Sequence, residues 1–143
     1  MTDSYNKVYL FVHVILTVHE RKPLLKKPVR VVLFPHIKST AEEKLIRVLK
    51  INGADDHAHC LLQIHPSQTL SQVIKLIKTE SSSWLNQNKI LEDGFEWQEN
   101  YAAYSVSPGS LKQVMDYIDK QEEYHKTKTL ENELEVIDKI QIA

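Results

Sequence analysis

The chain has 143 residues, 42% apolar and 26% charged, which is enough for one domain with a real core. No stretch approaches the ~18 uninterrupted apolar residues that a membrane-spanning helix needs. A formal net charge of −1 excludes a surface coated in cations, so any affinity for nucleic acid must come from a local basic cluster.

Met1 to Lys7 carries no apolar stretch followed by a small-residue cleavage site, so a cytoplasmic location is expected. From Lys7 to His19 the residues alternate. Val8, Leu10, Val12, Val14, Leu16 and Val18 fall on one face, with Tyr9, Phe11, His13, Ile15, Thr17 and His19 on the other. Apolar groups on both faces predict a central strand. Glu20 to Pro28 is a basic connector holding Arg21, Lys22, Lys26 and Lys27. A helix is predicted from Val29 to about Glu43, with Pro35 an awkward occupant. Leu45 to Ile51 reads as a second strand, Asn52-Gly53 as a turn, and Asp56 to Ile64 as a third strand. The single cysteine, Cys60, excludes an internal disulfide and a cysteine-built zinc site.

Thr69-Leu70-Ser71-Gln72 has capping-box spacing and opens a helix whose Leu70, Val73, Ile74, Ile77, Trp84 and Leu85 recur at helical intervals. Gly94 ends that pattern, and a strand follows over Tyr101 to Val106. Ser107-Pro108 reads as an N-cap and first turn for a helix reaching about His125, with Leu111, Val114, Met115 and Ile118 as its stripe. Leu130 to Ile140 predicts a further amphipathic helix. Acidic residues gather there and just before it (Glu122, Glu123, Glu131, Glu133 and Glu135), leaving the body of the chain more basic than the total. The order of elements predicts an α+β fold of ferredoxin-like type, an antiparallel sheet with helices packed on it. Residues 1–143 read as one domain, with 129–143 as a C-terminal helical extension. Such a fold does not decide chemistry.

Two local patterns carry chemistry. In Asp56-His57-Ala58-His59, strand alternation projects both imidazoles on one face, roughly 6–7 Å apart along the strand. The pair fits one divalent ion, and equally fits two histidines with no ligand. Tyr117 and Gln121, four apart on the helix after Pro108, stack one turn apart beside its apolar stripe. A tyrosine there suits packing as well as catalysis.

Taken together, the patterns resemble a known family. Asp55-Asp56-His57-Ala58-His59-Cys60-Leu61-Leu62 is similar to the histidine–hydrophobic–histidine motif of HUH-type nucleases. Phe95-Glu96-Trp97-Gln98, Tyr101 through Pro108, Tyr117-Ile118 and Gln121 through His125 resemble the catalytic-helix half of single-tyrosine transposases of the insertion sequence 200/605 family. The N-terminal strand, the connector Glu20-Arg21-Lys22-Pro23-Leu24-Leu25 and the Ser81-Ser82-Ser83-Trp84 helix fit as well, so the likeness runs from about Tyr5 to Thr129. Ala58 is small for the hydrophobic slot, and Cys60 replaces a larger apolar residue.

The resemblance implies a catalytic helix near the C-terminus, a metal site of His57, His59 and Gln121 holding Mg²⁺ or Mn²⁺, and Tyr117 as nucleophile. It implies cleavage and rejoining of single-stranded DNA, often hairpin-bearing, through a 5′-phosphotyrosine, by a homodimer whose active sites are shared between subunits. Candidate DNA contacts are Arg21, Lys22, Lys26 and Lys27, with Lys75 and Lys78 on the helix that carries Trp84. A solvated face is the plain alternative for both groups. Three other functions fit many of the same residues. They are a domesticated repeat-associated tyrosine transposase processing chromosomal hairpins, a metal hydrolase using bound water, and a non-catalytic ferredoxin-like nucleic-acid-binding module.

Overall fold

The computed structural model describes residues 6–142. It contains β1 (Phe11–Val18), α1 (Lys27–Glu43), β2 (Arg47–Ala54), β3 (His57–Gln63), α2 (Leu70–Gln87), β4 (Trp97–Val106), α3 (Leu111–Asp119), α4 (Gln121–Tyr124) and α5 (Leu130–Ile142). The strands form one four-stranded sheet in the order β2-β3-β1-β4, with every neighbouring pair antiparallel. This is the expected ferredoxin-like α+β arrangement.

β1 is central, as its two apolar faces predict. Val12, Val14, Leu16 and Val18 join the main core with Ala58, Cys60 and Leu62 of β3, Leu33 and Ile37 of α1, and Val73, Ile74 and Ile77 of α2. Phe11, His13 and Ile15 are buried on the opposite face. The strand is shorter than its alternating pattern, because Phe11 pairs with Gln63 and Val106, the last residues of β3 and β4. Beyond that pairing the ladder reduces to one backbone bond, from Ile64 N to the Leu10 carbonyl at 3.0 Å. β4 begins earlier than expected, since a register shift between Leu16 and Val18 lets Trp97 pair with Val18.

Pro35 does not interrupt α1. The carbonyl it leaves without a helical donor is that of Val31, on the outer face, where Val31 is 62% exposed and water can replace the lost donor. The capping box forms as read: Gln72 N donates to Thr69 Oγ1 at 3.2 Å, and Thr69 N donates to Gln72 Oε1 at 3.2 Å.

Three local readings are corrected. Leu45 takes a left-handed φ of 65°, so β2 starts at Arg47. Asn52-Gly53 is not the turn; both residues lie inside β2, and the two-residue loop is Asp55-Asp56. Gly53 is needed for close approach instead, since a Cβ there would lie 2.3 Å from the His57 carbonyl oxygen. Ser107 and Pro108 do form the N-cap and first position, but of a 3-10 turn at Pro108–Ser110 with no side-chain cap bond; α3 follows that turn, and the helix breaks at Lys120 rather than running to His125. No helix among the described residues is long and apolar enough to cross a membrane.

Candidate active site

The sheet face opposite the main core carries β1 residues His13 and Ile15 and β3 residues His57, His59 and Leu61. Strand register sets Ile15 opposite His59 and Thr17 opposite His57. α3, α4 and α5 cover this face. Asn52 fixes the C-terminal end of α3 to β2 by donating from Nδ2 to the carbonyls of Ile118 at 3.0 Å and Asp119 at 3.1 Å. Those bonds satisfy carbonyls that a helix end leaves unpaired, and they hold the Lys120 break over the histidines.

His57 and His59 are fully buried, and both turn Nε2 toward α4 and α5. The His57 Nδ1 side is held by Asp56 Oδ1 at 2.7 Å, and the Nε2 side meets Gln121 Oε1 at 3.2 Å. His59 has Nδ1 2.7 Å from His13 Nε2 and Nε2 3.2 Å from Glu133 Oε1. Gln121 is fully buried and donates from Nε2 to Glu133 Oε2 at 2.7 Å. The Tyr117 hydroxyl donates to the same Oε2. His125, on the turn leaving α4, places Nε2 2.8 Å from Glu133 Oε1. The four residues expected from the sequence thus converge within one chain, across the break between α3 and α4.

Two residues at the centre were not singled out in the sequence. Glu133 stood among acidic residues read as shifting the charge balance, yet it is 1% exposed and touches every member of the cluster. His125 closed the resembling stretch without a role. A glutamate at a core-facing position of an amphipathic helix was the available signal. His57, His59, His125 and Glu133 bring their ligand atoms within 4.8 Å of one another, an arrangement able to hold a metal ion. The donor chemistry fits a divalent ion, because the rings present Nε2 inward while Nδ1 is held by a partner outside the cluster.

Electrostatics separate the rings. Burial opposes charge on His57, but hydrogen bonds to the Asp56 and Glu133 carboxylates outweigh it and raise the ring to about 9. Burial lowers His59. Burial, then the neighbouring His59, lower His13 to about 3. Burial, then His57, lower His125 to about 4. The hydrogen bond from His57 holds Asp56 below its usual value. Cys60, on the core side of β3, is pushed up to about 12 by burial alone, and so is an inert filler.

The basic residues divide. Arg21 pairs with Asp56 and Glu131, Lys26 with Asp55 at 2.7 Å, Lys27 with Glu122 at 3.6 Å and Lys22 with Glu20 at 3.7 Å. Arg30, which the sequence did not flag, is buried and joins the Leu25 carbonyl, Asp55 at 3.1 Å and Glu122 at 2.6 Å. It ties α1 to α4 and to the loop that carries Asp56. Lys75 and Lys78 line a separate groove with His19, Ser71, Gln98 and Tyr101. Lys78 donates to the carbonyls of Gln98 at 2.6 Å and Glu99 at 2.8 Å and lies 5.6 Å from the Tyr101 ring centre.

An antiparallel α+β sheet carrying a buried histidine pair beside a tyrosine helix defines the class of domain. A family profile described as "Transposase IS200 like" matches residues 6–121. The chain belongs to that transposase family. Among solved structures, a candidate transposase from Deinococcus radiodurans R1 is similar with a TM-score of 0.66 and 21% identity, covering 85% of this chain and 98% of that one. A REP-associated tyrosine transposase bound to a REP hairpin is similar with a TM-score of 0.57 and 14% identity, covering 83% of this chain and 72% of that one. No curated protein matches the chain.

Proposed function

We propose that the protein cleaves and rejoins single-stranded DNA through a covalent bond to Tyr117, beside a divalent ion held by His57, His59 and Gln121. The observation that carries this reading is the meeting of those four side chains at one buried point, within hydrogen-bond reach of one carboxylate. Family membership supports DNA as the substrate, and the hairpin bound by one structural relative supports a hairpin-bearing target.

A phenol has a pKa near 10 and attacks slowly at neutral pH unless its proton has somewhere to go. Here the hydroxyl of Tyr117 points at the Glu133 carboxylate. The phenolic oxygen forms a bond to phosphorus, the bond from phosphorus to the 3′-oxygen breaks, and that oxygen leaves as a 3′-hydroxyl once protonated. The 5′ end stays on the tyrosine as a phosphodiester, so rejoining by a new 3′-hydroxyl needs no ATP. A bound divalent ion, Mg²⁺ or Mn²⁺, would supply charge neutralisation at the phosphate oxygens. The deciding experiment is transfer of an end-labelled oligonucleotide to the protein, read as a band that survives denaturation. Cleavage without adduct favours a water-using hydrolase, and binding without cleavage favours a non-catalytic module.

The resemblance implies a homodimer with shared sites, whereas a second reading is favoured by the meeting of Tyr117 with His59 in one chain, rings 5.8 Å apart. Purified heterodimers of His57→Ala with Tyr117→Phe separate the two. Cleavage by the mixed dimer requires sharing, and cleavage at background places each site within one chain. Lys75 and Lys78 are the basic residues best placed to meet DNA, because they line an open groove, whereas Arg21, Lys22, Lys26 and Lys27 are each engaged by a carboxylate. The C-terminal extension takes part in the site in this reading, which the buried place of Glu133 on α5 supports.

A further inference from the structure

We infer that His125 and Glu133 are ligands of the same metal ion, so that α5, which lies beyond the matched family segment, completes the site. This rests on the metal reading above and concerns residues that reading does not include.

Five groups converge on Glu133. His125, His59 and His57 bring Nε2 to 2.8, 3.2 and 3.5 Å from Oε1, and Gln121 Nε2 and the Tyr117 hydroxyl meet Oε2. A carboxylate offers about four lone-pair sites, two on each oxygen. Three ring nitrogens on one oxygen are more than hydrogen bonding can serve.

The tautomer of His125 points the same way. Its Nδ1 lies 2.9 Å from the Lys128 carbonyl oxygen, which can only accept, so Nδ1 carries the proton. A neutral ring then presents a lone pair from Nε2 to Glu133 Oε1 at 2.8 Å. Two lone pairs facing at that distance need something positive beside them. A proton would relieve this one contact, whereas a divalent cation relieves all three.

Spacing agrees. Ligands about 2.1 Å from one ion lie about 3.0 Å apart at right angles and about 3.4 Å apart at tetrahedral angles. The pairs here are 2.8 Å for His125–Glu133, 3.2 Å for His59–Glu133, 3.5 Å for His57–Glu133 and 3.2 Å for His57–Gln121. All three rings share one design, with Nδ1 held outside the cluster by Asp56, His13 or the Lys128 carbonyl and Nε2 turned inward. Three imidazoles with one carboxylate favour Mn²⁺ and later first-row ions over Mg²⁺, which prefers oxygen. Because the other oxygen of Glu133 accepts from Tyr117, one carboxylate would also position the nucleophile beside the ion.

The test is calorimetric titration of the full chain with Mn²⁺, paired with the visible absorption of its Co²⁺ form. Wild type is compared with Glu133→Gln, His125→Ala and His57→Ala, each checked for folding by circular dichroism. Glu133→Gln and His125→Ala are expected to weaken Mn²⁺ binding at least tenfold and to shift the Co²⁺ band. Unchanged affinity overturns the inference and leaves an ordinary His125–Glu133 ion pair. Tighter binding by Glu133→Gln also overturns it, making Glu133 a plug that competes with the ion. Weaker binding with an unshifted Co²⁺ band overturns it too, since the residues then act only through the fold. If His57→Ala binds as wild type does, the underlying metal reading fails instead.

Discussion

Along β3 one backbone serves two environments. Ala58, Cys60 and Leu62 enter a core of aliphatic side chains beneath α1 and α2, while His57 and His59 enter a polar cluster beneath α3, α4 and α5. The first environment is non-directional and tolerates residues that fill the volume, so Ala58 and Cys60 fit although both are small for their slots. The second is directional, with each buried polar atom held to a named partner within hydrogen-bond reach. Changes on the core side should therefore act on stability, and changes on the site side should act on chemistry.

The largest effect is expected at Tyr117. Tyr117→Phe should reduce adduct formation by about a thousandfold or more while leaving a cooperatively melting fold, because one hydroxyl contact is lost. Tyr124 is the nearest rival, with its ring centre 6.1 Å from that of Tyr117. Adduct retained by Tyr117→Phe and lost by Tyr124→Phe would transfer the role. Next come the histidines: His57→Ala or His59→Ala should abolish cleavage, and Gln121→Ala should reduce it less, an amide being the poorer ligand. Equal Mn²⁺ binding by wild type and the double-histidine variant would break the comparison at its polar side.

On the other face, Leu62→Ala should cost about 2–5 kcal/mol in urea denaturation, as fully buried leucines do, with cleavage per folded molecule unchanged. Loss of activity beyond loss of folded protein would show that the two faces are not separate. Smaller is a pH effect on the metal-free protein. His57 is raised in the fold, so its stabilisation is fully present below about 6.5 and is lost as pH rises through about 9. The lowered His13, His59 and His125 act oppositely, removing stability as pH falls below about 6.5. The melting temperature should fall on both sides, and His57→Ala should flatten the alkaline side only. The smallest effect is at the groove. Lys75→Ala should lower the salt dependence of oligonucleotide binding by about one ion and leave the adduct chemistry intact, with an unchanged slope removing Lys75 from the interface.

Much of this was legible beforehand for physical reasons. Strand alternation fixes which side of the sheet each histidine occupies, because a side-chain period of two allows no other choice. Ala58 and Cys60 therefore fall on one face of β3 and His57 and His59 on the other, whereas β1, apolar on both faces, showed only that it is central. The capping box formed as read, being a local contact between residues three apart. Asn52-Gly53 misled, because turn propensity is a local preference and the close approach of the His57 carbonyl to Gly53 is not local. The Lys120 break was equally invisible: Asn52 holds α3 there from across the sheet.

The sequence by itself determined the order of elements, the two faces of β1 and β3, and the pairing of histidines with a tyrosine helix that marks the family. Those follow from periodicity and short-range spacing, which need no knowledge of distant neighbours. Only the tertiary structure decided that Glu133, one acid among many near the C-terminus, lies at the centre of the site, and that Arg30 and Asn52 hold the site's walls in place. The physical reason is range. Glu133 lies 74 residues from His59 and Arg30 lies 92 from Glu122, and no periodic pattern along the chain encodes contacts made by docking one helix over another's break.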